Sequence, residues 1–329
     1  MNQDQSNQDR SKLSPIFIVG APRSGTTLLA VLFDRHSRIA IPPETQFFSE
    51  FLNKYSIEIE RDSHQKIVDK ALNFKRISDL NLNRDDLLDE YFEKEKTLPN
   101  LLASILICYA RQKKKKRSGE KTPRHVEYIP EIINYFPEAK IICILRDGRD
   151  VVRSLLNVSW AEPQNPRRFS IFCMEWSDMY DKLVAYTNRY PSDQITLIKY
   201  EDLLVNPEQE MRRLCRFVDE DYEPGQLNPE SNSNVVPEWE DQWKGKSLGD
   251  FDTSRIQAWK KDADQIQIWR MNNMMGKTLK KAGYTDYQVI GCPLSFRLRL
   301  FFEKMPYLKP MRPFSLAGLK LARYLRITK

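Results

Sequence analysis

The stretch "IFIVGAPRSGTTLLAVLF", residues 16–33, decides the fold prediction. Its first residues form an apolar, β-branched run that is typical of a buried parallel strand, and the segment from Thr26 to His36 has the pattern of a helix. Gly20 and Gly25 have the spacing of the phosphate-binding loop G-x-x-x-x-G-K-S/T, but Thr26 stands where that loop has its lysine. The stretch predicts a strand–loop–helix unit and raises the question of which anion the loop binds.

The loop is rich in hydrogen-bond donors. Its backbone N–H groups and the positive end of the following helix both favour a tetrahedral oxyanion. The side chains that add further donors are those of Arg23, Ser24, Thr26 and Thr27. The missing lysine and the lack of an evident acidic magnesium ligand argue against a nucleoside triphosphatase, so we expect an anion bound without a metal. The alternative is a tight turn with no ligand.

Two further stretches have the pattern of buried strands, "AKIICILRD" at 139–147 and "ITLIKYEDLL" at 195–204. Helical patterns occupy most of 44–116, follow residue 147, and recur at about 168–190, 206–218 and 264–282. The last of these helices is expected to end at Gly283, and residues 221–253 are expected to form a loop. Strands that alternate with helices predict an α/β fold of three layers, with a central parallel β-sheet flanked by helices. The three strands exit into "GAPRSGTT", "RDGRD" and "KYED", so we expect these exits to form one crevice.

Charge divides the 329-residue chain unevenly. The net charge of +7 arises after residue 293, where nine Lys and Arg side chains accompany Glu303 alone. We expect a disordered leader at 1–14, one domain at 15–290 and a basic amphipathic tail at 291–329. The tail suits either a peripheral contact with an anionic membrane or packing on the domain, and the sequence leaves both open.

Cysteine usage and hydropathy predict an intracellular protein. The five cysteines are scattered and form no C-x-x-C pair, which argues against a disulfide framework or a zinc site. Residues 1–14 lack the apolar core of a signal peptide, and no window reaches the roughly 18 apolar residues of a membrane span. We expect a cytoplasmic location, with the inner face of the membrane as the place of any peripheral contact.

Several motifs together resemble the sulfotransferases that use 3′-phosphoadenosine 5′-phosphosulfate (PAPS). "PRSGTTLL" resembles their 5′-phosphosulfate loop, and "LRDGRDVVRSL" resembles their 3′-phosphate motif. "KYEDLLVNPEQEMRRLCRFV", "SRIQAW" and "LKKAGY" resemble later parts of the family, so the resemblance covers about residues 15–287. It implies the fold of the P-loop nucleotide kinases and the metal-free transfer of the sulfuryl group from PAPS to an acceptor hydroxyl.

The resemblance also implies which residues bind PAPS. They are Pro22, Arg23, Ser24, Gly25, Thr26 and Thr27 in the loop, Arg146 and Ser154 at the 3′-phosphate, Tyr200 at the adenine, and Lys246 and Ser247 in the segment over the 3′-phosphate. The alternatives are an ion pair between Arg146 and Asp147 and a core position for Tyr200. We expect Arg149, Asp150 and Arg153 to be solvated charges at a helix start. Ala258 departs from the family, which often has a basic residue before the tryptophan of "SRIQAW".

Three catalytic residues follow from the same resemblance. Glu44, in "IAIPPETQFF", resembles the general base of the protein-tyrosine sulfotransferases, and Lys121, in "GEKTPRH", resembles a lysine that stabilises the transition state in those and related bacterial enzymes. Arg23, together with this lysine, is expected to neutralise the leaving phosphate in place of a metal. The alternatives are a helix N-terminal charge for Glu44, an extension of the solvated basic run 113–117 for Lys121, and His125 as the base, although its position predicts a surface histidine.

The acceptor is expected to carry its hydroxyl on a carbohydrate, a lipid or a small molecule. Two other functions stay open on the sequence: a P-loop kinase-like phosphotransferase, and a non-catalytic basic protein associated with membranes. Nucleic acid is not an expected partner, because interleaved aromatic and basic residues are confined to the tail.

Overall fold

The computed structural model describes residues 14–55, 62–158, 161–162, 165, 167–231, 233, 235–237 and 251–285. The leader up to residue 13, Lys246, Ser247 and the tail at 291–329 lie outside these residues, so their roles stay predictions.

The described residues form one central sheet of five parallel strands in the order β2-β3-β1-β4-β5. The strands are β1 (Ile16–Gly20), β2 (Ile39–Ala40), β3 (Arg117–Lys121), β4 (Lys140–Leu145) and β5 (Ile195–Lys199). β1 lies in the middle, where Ile16 pairs with Gly119 of β3 on one side and with Lys140 of β4 on the other. The predicted α/β fold with a central parallel sheet is confirmed.

Helices connect the strands. They are α1 (Thr26–Asp34), α2 (Leu52–Tyr55), α3 (His64–Leu72), α4 (Lys75–Ser78), α5 (Arg84–Phe92), α6 (Leu98–Gln112), α7 (Ile129–Tyr135), α8 (Gly148–Leu155), α9 (Arg168–Arg189), α10 (Tyr200–Val205), α11 (Pro207–Phe217), α12 (Trp259–Asp262) and α13 (Gln265–Lys281). A π-helical turn spans Phe47–Phe51, and 3₁₀ turns span Pro123–Tyr128, Pro224–Leu227 and Thr253–Arg255. Gly283 follows α13 with a φ of +81°, as predicted for its cap. Across the described ranges, no helix has both the length and the apolar character needed to cross a membrane.

Alternate side chains of β1 belong to two hydrophobic cores, because successive residues of a strand face opposite sides of the sheet. Phe17 and Val19 belong to the core that includes residues of α3, α5, α6 and α9. Ile16 and Ile18 belong to the core that includes residues of α1, α10 and α11. The sheet is therefore covered by helices on both faces, which gives the three predicted layers.

β3 was not expected from the sequence, because its residues "RSGEK" include no large apolar side chain. All five are nevertheless buried. The guanidinium of Arg117 donates to the backbone carbonyls of Val218 and Ser14, so Arg117 is not the end of a solvated basic run. Hydrophobic periodicity detects a buried strand only where the buried side chains are apolar. In β3, hydrogen bonds make polar burial tolerable instead.

Candidate active site

The loop at residues 20–27 turns sharply between β1 and α1. Arg23 and Gly25 have φ values of +70° and +101°, in the left-handed region. Glycine is required at position 25, because a Cβ there would lie 2.3 Å from Cδ2 of the Tyr200 ring. No side chain caps the N terminus of α1, so its first backbone N–H groups are available to a ligand in the loop. This geometry suits the binding of an anion.

The two predicted anion motifs contact each other. Arg23 Nε donates to Ser154 Oγ at 3.0 Å, although the two residues are 131 positions apart in sequence. Arg146 Nη1 donates to the carbonyl oxygen of Arg23 at 3.2 Å. The loop after β1 and the junction of β4 with α8 therefore form one site, as the strand exits predict.

The polar segment after β5 stabilises the junction of β4 with α8. Glu201 accepts a hydrogen bond from the backbone N–H of Asp147 at 3.0 Å and another from the hydroxyl of Tyr284 at 2.9 Å. Asp147 caps α8 by accepting from the N–H of Arg149, and its carboxylate pairs with the Arg149 guanidinium at 2.7 Å. Asp147 is thus engaged with Arg149, and the alternative of an ion pair between Arg146 and Asp147 is not what the structure shows.

Two buried polar atoms in this site, Ser24 Oγ and Arg146 Nε, have no hydrogen-bond partner among the described residues. Buried polar groups in folded proteins are nearly always paired, so these two atoms are available to hydrogen-bond a ligand at this site. Both can donate, and the oxygens of a phosphate or a phosphosulfate would accept from them. Within the described ranges, no group of three or more His, Cys, Asp or Glu side chains could hold a metal ion.

Positive charge is concentrated at the same place. Arg255 approaches from the C-terminal part of the domain, and its carbonyl oxygen accepts from Arg146 Nη2 at 2.9 Å. Burial lowers the pKa of Arg23, and the guanidiniums of Arg146 and Arg255 lower it further, whereas the Glu44 carboxylate acts in the opposite direction. Like charges held together in a partly buried site favour a multiply charged anion. Sequence reasoning did not assign Arg255, and its only signal was its place in the quoted motif "SRIQAW".

Arg149 and Asp150 are 1% and 0% exposed, so the prediction that they are solvated was wrong. Asp150 accepts from the backbone N–H groups of Gln257 and Trp259, each at 2.9 Å. The Arg149 guanidinium lies over the Trp259 ring at 4.1 Å. These contacts attach the "SRIQAW" segment to α8, and burial raises the pKa of Asp150 to about 6. Arg153 remains partly exposed.

The predicted catalytic residues lie in direct contact beside the loop. Lys121 Nζ donates to Glu44 Oε1 at 2.7 Å and to Thr27 Oγ1 at 3.4 Å. Lys121 is fully buried and Glu44 is 8% exposed. Lys121 ends β3 and so does not extend a solvated run, and Glu44 precedes the turn Phe47–Phe51 rather than starting an α-helix. The site therefore brings a carboxylate, an ammonium and a hydroxyl together at the anion-binding loop.

Residues 15–224, more than half of the chain, match the model of the sulfotransferase family. The chain belongs to the sulfotransferase family. This confirms the resemblance that the sequence motifs carry, and it favours a sulfotransferase over a P-loop kinase.

Relatives that are named as sulfotransferases support the same family. The chain is 25% identical over 215 residues to a putative protein-tyrosine sulfotransferase of Caenorhabditis briggsae, covering 65% of this chain and 68% of the relative. It is 26% identical over 223 residues to protein-tyrosine sulfotransferase A of Caenorhabditis elegans, covering 65% and 52%. It is also 26% identical over 242 residues to the omega-hydroxy-beta-dihydromenaquinone-9 sulfotransferase Stf3 of Mycobacterium tuberculosis, covering 62% of each. The match thus spans about half to two thirds of these relatives' lengths.

A solved structure shows the same fold. The sulfotransferase domain from the curacin biosynthetic pathway superposes with a TM-score of 0.60 at 17% identity, covering 82% of this chain and 98% of that domain.

His125 lies in the core, and the prediction of a surface histidine was wrong. Its side chain is 0% exposed. Its Nδ1 lies 2.8 Å from Glu120 Oε2, and its Nε2 accepts from the backbone N–H of Phe48 at 3.3 Å. Both ring nitrogens are engaged inside the protein, so Glu44 is the better candidate for a general base.

Tyr200 packs against the loop at residues 20–27. It is 2% exposed, its ring edge packs against Gly25, and the Arg146 guanidinium lies 4.5 Å above the ring centre. Tyr200 therefore packs against both predicted anion-binding segments, and its contact with an adenine stays a prediction.

Proposed function

We propose that this chain transfers the sulfuryl group from PAPS to the hydroxyl of an acceptor, with Glu44 as the general base. The observation that carries the proposal is the contact series Glu44–Lys121–Thr27. It connects a carboxylate through a buried ammonium to the loop that resembles the phosphosulfate loop. A base and a cation are thereby held where an acceptor hydroxyl would meet the sulfuryl group.

The donor would lie along the site from the loop to α8. Residues 22–27 bind the 5′-phosphosulfate through backbone N–H groups and hydroxyls, and Arg146 and Ser154 bind the 3′-phosphate. The unpartnered donors Ser24 Oγ and Arg146 Nε support this assignment, because each would gain an anionic acceptor. Tyr200 at the adenine, and Lys246 and Ser247 over the 3′-phosphate, belong to the same proposal on the strength of the sequence motifs.

Sulfuryl transfer requires the protein to position the reacting groups and to stabilise the negative charge that develops. PAPS supplies an activated sulfuryl group on a phosphate that leaves as an anion. Glu44 accepts the proton of the acceptor hydroxyl, which makes that oxygen the nucleophile. Lys121 and Arg23 donate to the oxygens on which negative charge develops, the role that magnesium ions and lysine have in phosphoryl transfer. The buried position of Lys121 strengthens its electrostatic effect.

The proposal specifies only the chemical class of the acceptor. The named relatives act on protein tyrosine and on a hydroxylated menaquinone, according to their names. A hydroxyl on a carbohydrate, a lipid or a small molecule is the acceptor that we propose here. Incubating the protein with radiolabelled PAPS and a whole-cell extract, followed by separation into lipid, glycan, protein and small-molecule fractions, would identify the class.

The donor can be tested before the acceptor is known. We expect adenosine 3′,5′-bisphosphate to raise the melting temperature of the protein and to bind in calorimetry, because it carries both phosphates of the donor. ATP with magnesium should do neither, since the loop has no lysine. Stabilisation by ATP with magnesium but not by the bisphosphate would overturn the proposal in favour of a kinase-like activity.

A further inference from the structure

We propose that Glu120 and His125 form a buried positioning pair that fixes the turn carrying Glu44 and so sets the contact between Glu44 and Lys121. The inference rests on the proposed function in one respect, the role of Glu44 as the base. Glu120 and His125 are both 0% exposed, and the hydrogen bonds described for them join them to residues 45, 48 and 122 and to each other.

Glu120 is the centre of the network. Its Oε1 accepts from the hydroxyl of Thr122 at 2.6 Å, from the hydroxyl of Thr45 at 2.8 Å and from the backbone N–H of Thr45 at 3.4 Å. Its Oε2 lies 2.8 Å from His125 Nδ1. A fully buried carboxylate is costly unless each oxygen accepts hydrogen bonds, and here both do.

The network binds four consecutive backbone N–H groups, those of residues 45–48. Beyond the bond from Thr45, the N–H of Gln46 donates to Thr122 Oγ1 at 3.2 Å and the N–H of Phe48 donates to His125 Nε2 at 3.3 Å. The N–H of Phe47 donates to Thr45 Oγ1 at 3.2 Å. The turn after Glu44 is therefore held mainly by the end of β3 and the residues that follow it.

The backbone of this turn needs such support. Gln46 has a φ of +50°, a left-handed conformation that costs about 1–3 kcal/mol for a residue other than glycine unless its surroundings impose it. The pair Glu120 and His125, with the hydroxyls of Thr45 and Thr122, supplies those surroundings. Without them the turn is expected to relax, and Glu44 would move with it.

The hydrogen bonds also fix the tautomer of His125. A backbone N–H can only donate, so His125 Nε2 must be the unprotonated acceptor for Phe48. The ring proton is then on Nδ1 and is donated to Glu120. Protonation of Nε2 would place two donors against each other and release Phe48.

Glu120 and Lys121 are neighbours at the end of β3, and successive strand residues point to opposite faces of a sheet. Glu120 holds the backbone that follows Glu44, whereas Lys121 donates to the Glu44 carboxylate itself at 2.7 Å. One strand end thereby fixes Glu44 from two sides. A misplacement of about 1 Å is enough to cost on the order of 100-fold in rate.

The test uses a matched pair of variants at Thr45. Thr45→Val keeps the side-chain shape but removes the hydroxyl that joins Glu120 to the N–H of Phe47, and Thr45→Ser keeps that hydroxyl. We expect Thr45→Val to lower the rate of transfer from radiolabelled PAPS into the accepting extract fraction by about 10- to 100-fold. Thr45→Ser should restore most of the rate. Affinity for adenosine 3′,5′-bisphosphate should change less than about twofold in both, because the donor site uses other segments.

A second variant addresses the tautomer. In Glu120→Gln the new amide would donate to His125 Nδ1, which moves the ring proton to Nε2 and breaks the bond from Phe48. We expect faster amide hydrogen exchange in the segment 44–48 and the same loss of rate, again with bisphosphate affinity retained. Unchanged exchange and unchanged rate would overturn the inference.

A double-mutant cycle with Glu44→Gln separates this inference from the proposed function. If Thr45 acts through Glu44, Thr45→Val should have no further effect on the residual rate of Glu44→Gln. Full activity of Glu44→Gln would overturn the role of Glu44 as the base. An inactive Glu44→Gln together with a fully active Thr45→Val would overturn only the positioning role. Loss of bisphosphate binding in Thr45→Val would show that Thr45 supports the fold in general, and would also overturn the positioning role.

Discussion

At the scale of single residues, the proposed chemistry depends on a carboxylate that contacts a buried lysine. Glu44 accepts from Lys121, and Lys121 in turn donates to Thr27 of the anion-binding loop. The guanidiniums of Arg146 and Arg255 lie close enough to that of Arg23, in the same loop, to lower the pKa of Arg23. The arrangement assigns proton removal and charge stabilisation to different residues.

Glu44→Gln is expected to lower the transfer rate by about 10²- to 10⁴-fold, because an amide cannot accept the proton of the acceptor hydroxyl. The measurement is the transfer of the radiolabelled sulfuryl group from PAPS into the accepting extract fraction, with bisphosphate affinity measured in parallel and expected to stay the same. The exposed Glu93→Gln is the matched control and should have wild-type activity. A Glu44→Gln variant as fast as the wild type would refute the general-base role.

Arg255→Ala is expected to weaken the binding of adenosine 3′,5′-bisphosphate about tenfold, because a hydrogen bond to a charged group contributes roughly 1.5 kcal/mol or more. The Arg255 guanidinium pairs with Asp252 Oδ2 at 3.3 Å, and it lies near enough to the Arg23 guanidinium to lower the pKa of Arg23. Because the backbone carbonyl of Arg255 accepts from Arg146, the proposed 3′-phosphate ligand, we expect the loss to depend on that phosphate. Calorimetry with adenosine 5′-monophosphate, which lacks that phosphate, should show little difference between variant and wild type. The exposed Lys261→Ala is the control, and equal losses for both ligands would contradict the assignment.

At the scale of elements, the site is made by the junctions between strands and helices. The loop from β1 to α1 and the junction of β4 with α8 present their donors to one space, and α8 also holds the "SRIQAW" segment through Asp150 and Arg149. Each junction therefore has a specific conformation that the neighbouring elements enforce.

Gly25→Ala is expected to destabilise the protein by at least about 2 kcal/mol, because it strains a left-handed backbone and pushes a methyl group into Tyr200. It should also reduce bisphosphate binding, since the loop must shift. Gly276→Ala is the matched control: its Cβ would meet nothing within 4 Å in the middle of α13, so we expect a gain of about 0.5–1 kcal/mol. Chemical denaturation measures both, and a Gly25→Ala variant as stable as the wild type would contradict the described loop.

Asp150 should make stability depend on pH. Its pKa is raised to about 6 by burial, above the value of about 3.9 in an unfolded chain. The folded state therefore holds the proton more tightly, so this contribution to stability is present below pH 4 and is lost as the pH rises to about 6. As the pH rises through that range, the wild type should lose stability relative to Asp150→Asn. The free energy of unfolding of the variant minus that of the wild type should therefore increase by up to about 3 kcal/mol. Denaturation at pH 4, 5, 6 and 7 measures the trend, and a flat difference would contradict it.

At the scale of the whole molecule, a domain of the sulfotransferase family is followed by a strongly basic C-terminal segment. The family match ends at residue 224, and the net positive charge of the chain arises after residue 293. The sequence of this stretch alternates bulky apolar and basic residues, a composition that suits an anionic bilayer surface.

Deletion of residues 292–329 is expected to abolish binding to vesicles that contain anionic lipid, because it removes nine basic side chains. Cosedimentation with anionic and with neutral vesicles measures the effect. The bisphosphate should still raise the melting temperature of the shortened protein, which serves as the control for folding. Unchanged vesicle binding after the deletion would favour a tail that packs on the domain.

The amino-acid sequence by itself predicted three strands of the central sheet and an anion as the ligand. Apolar β-branched runs mark β1, β4 and β5, because a strand covered on both faces must be apolar throughout. The spacing of Gly20 and Gly25, with donors between them, indicates an anion site, since these are local properties of a short segment. Glu44 and Lys121 were predicted as catalytic residues through their motifs.

Only the tertiary structure decided how these residues meet and which charged groups are buried. β3 escaped detection because its buried side chains are polar and are satisfied by partners far away in sequence. For the same reason Asp150 and His125 were expected in solvent, although backbone N–H groups from other segments keep them in the core. A local pattern reports the polarity of a side chain. Its burial depends on whether the fold supplies hydrogen-bond partners, and that is a property of long-range contacts.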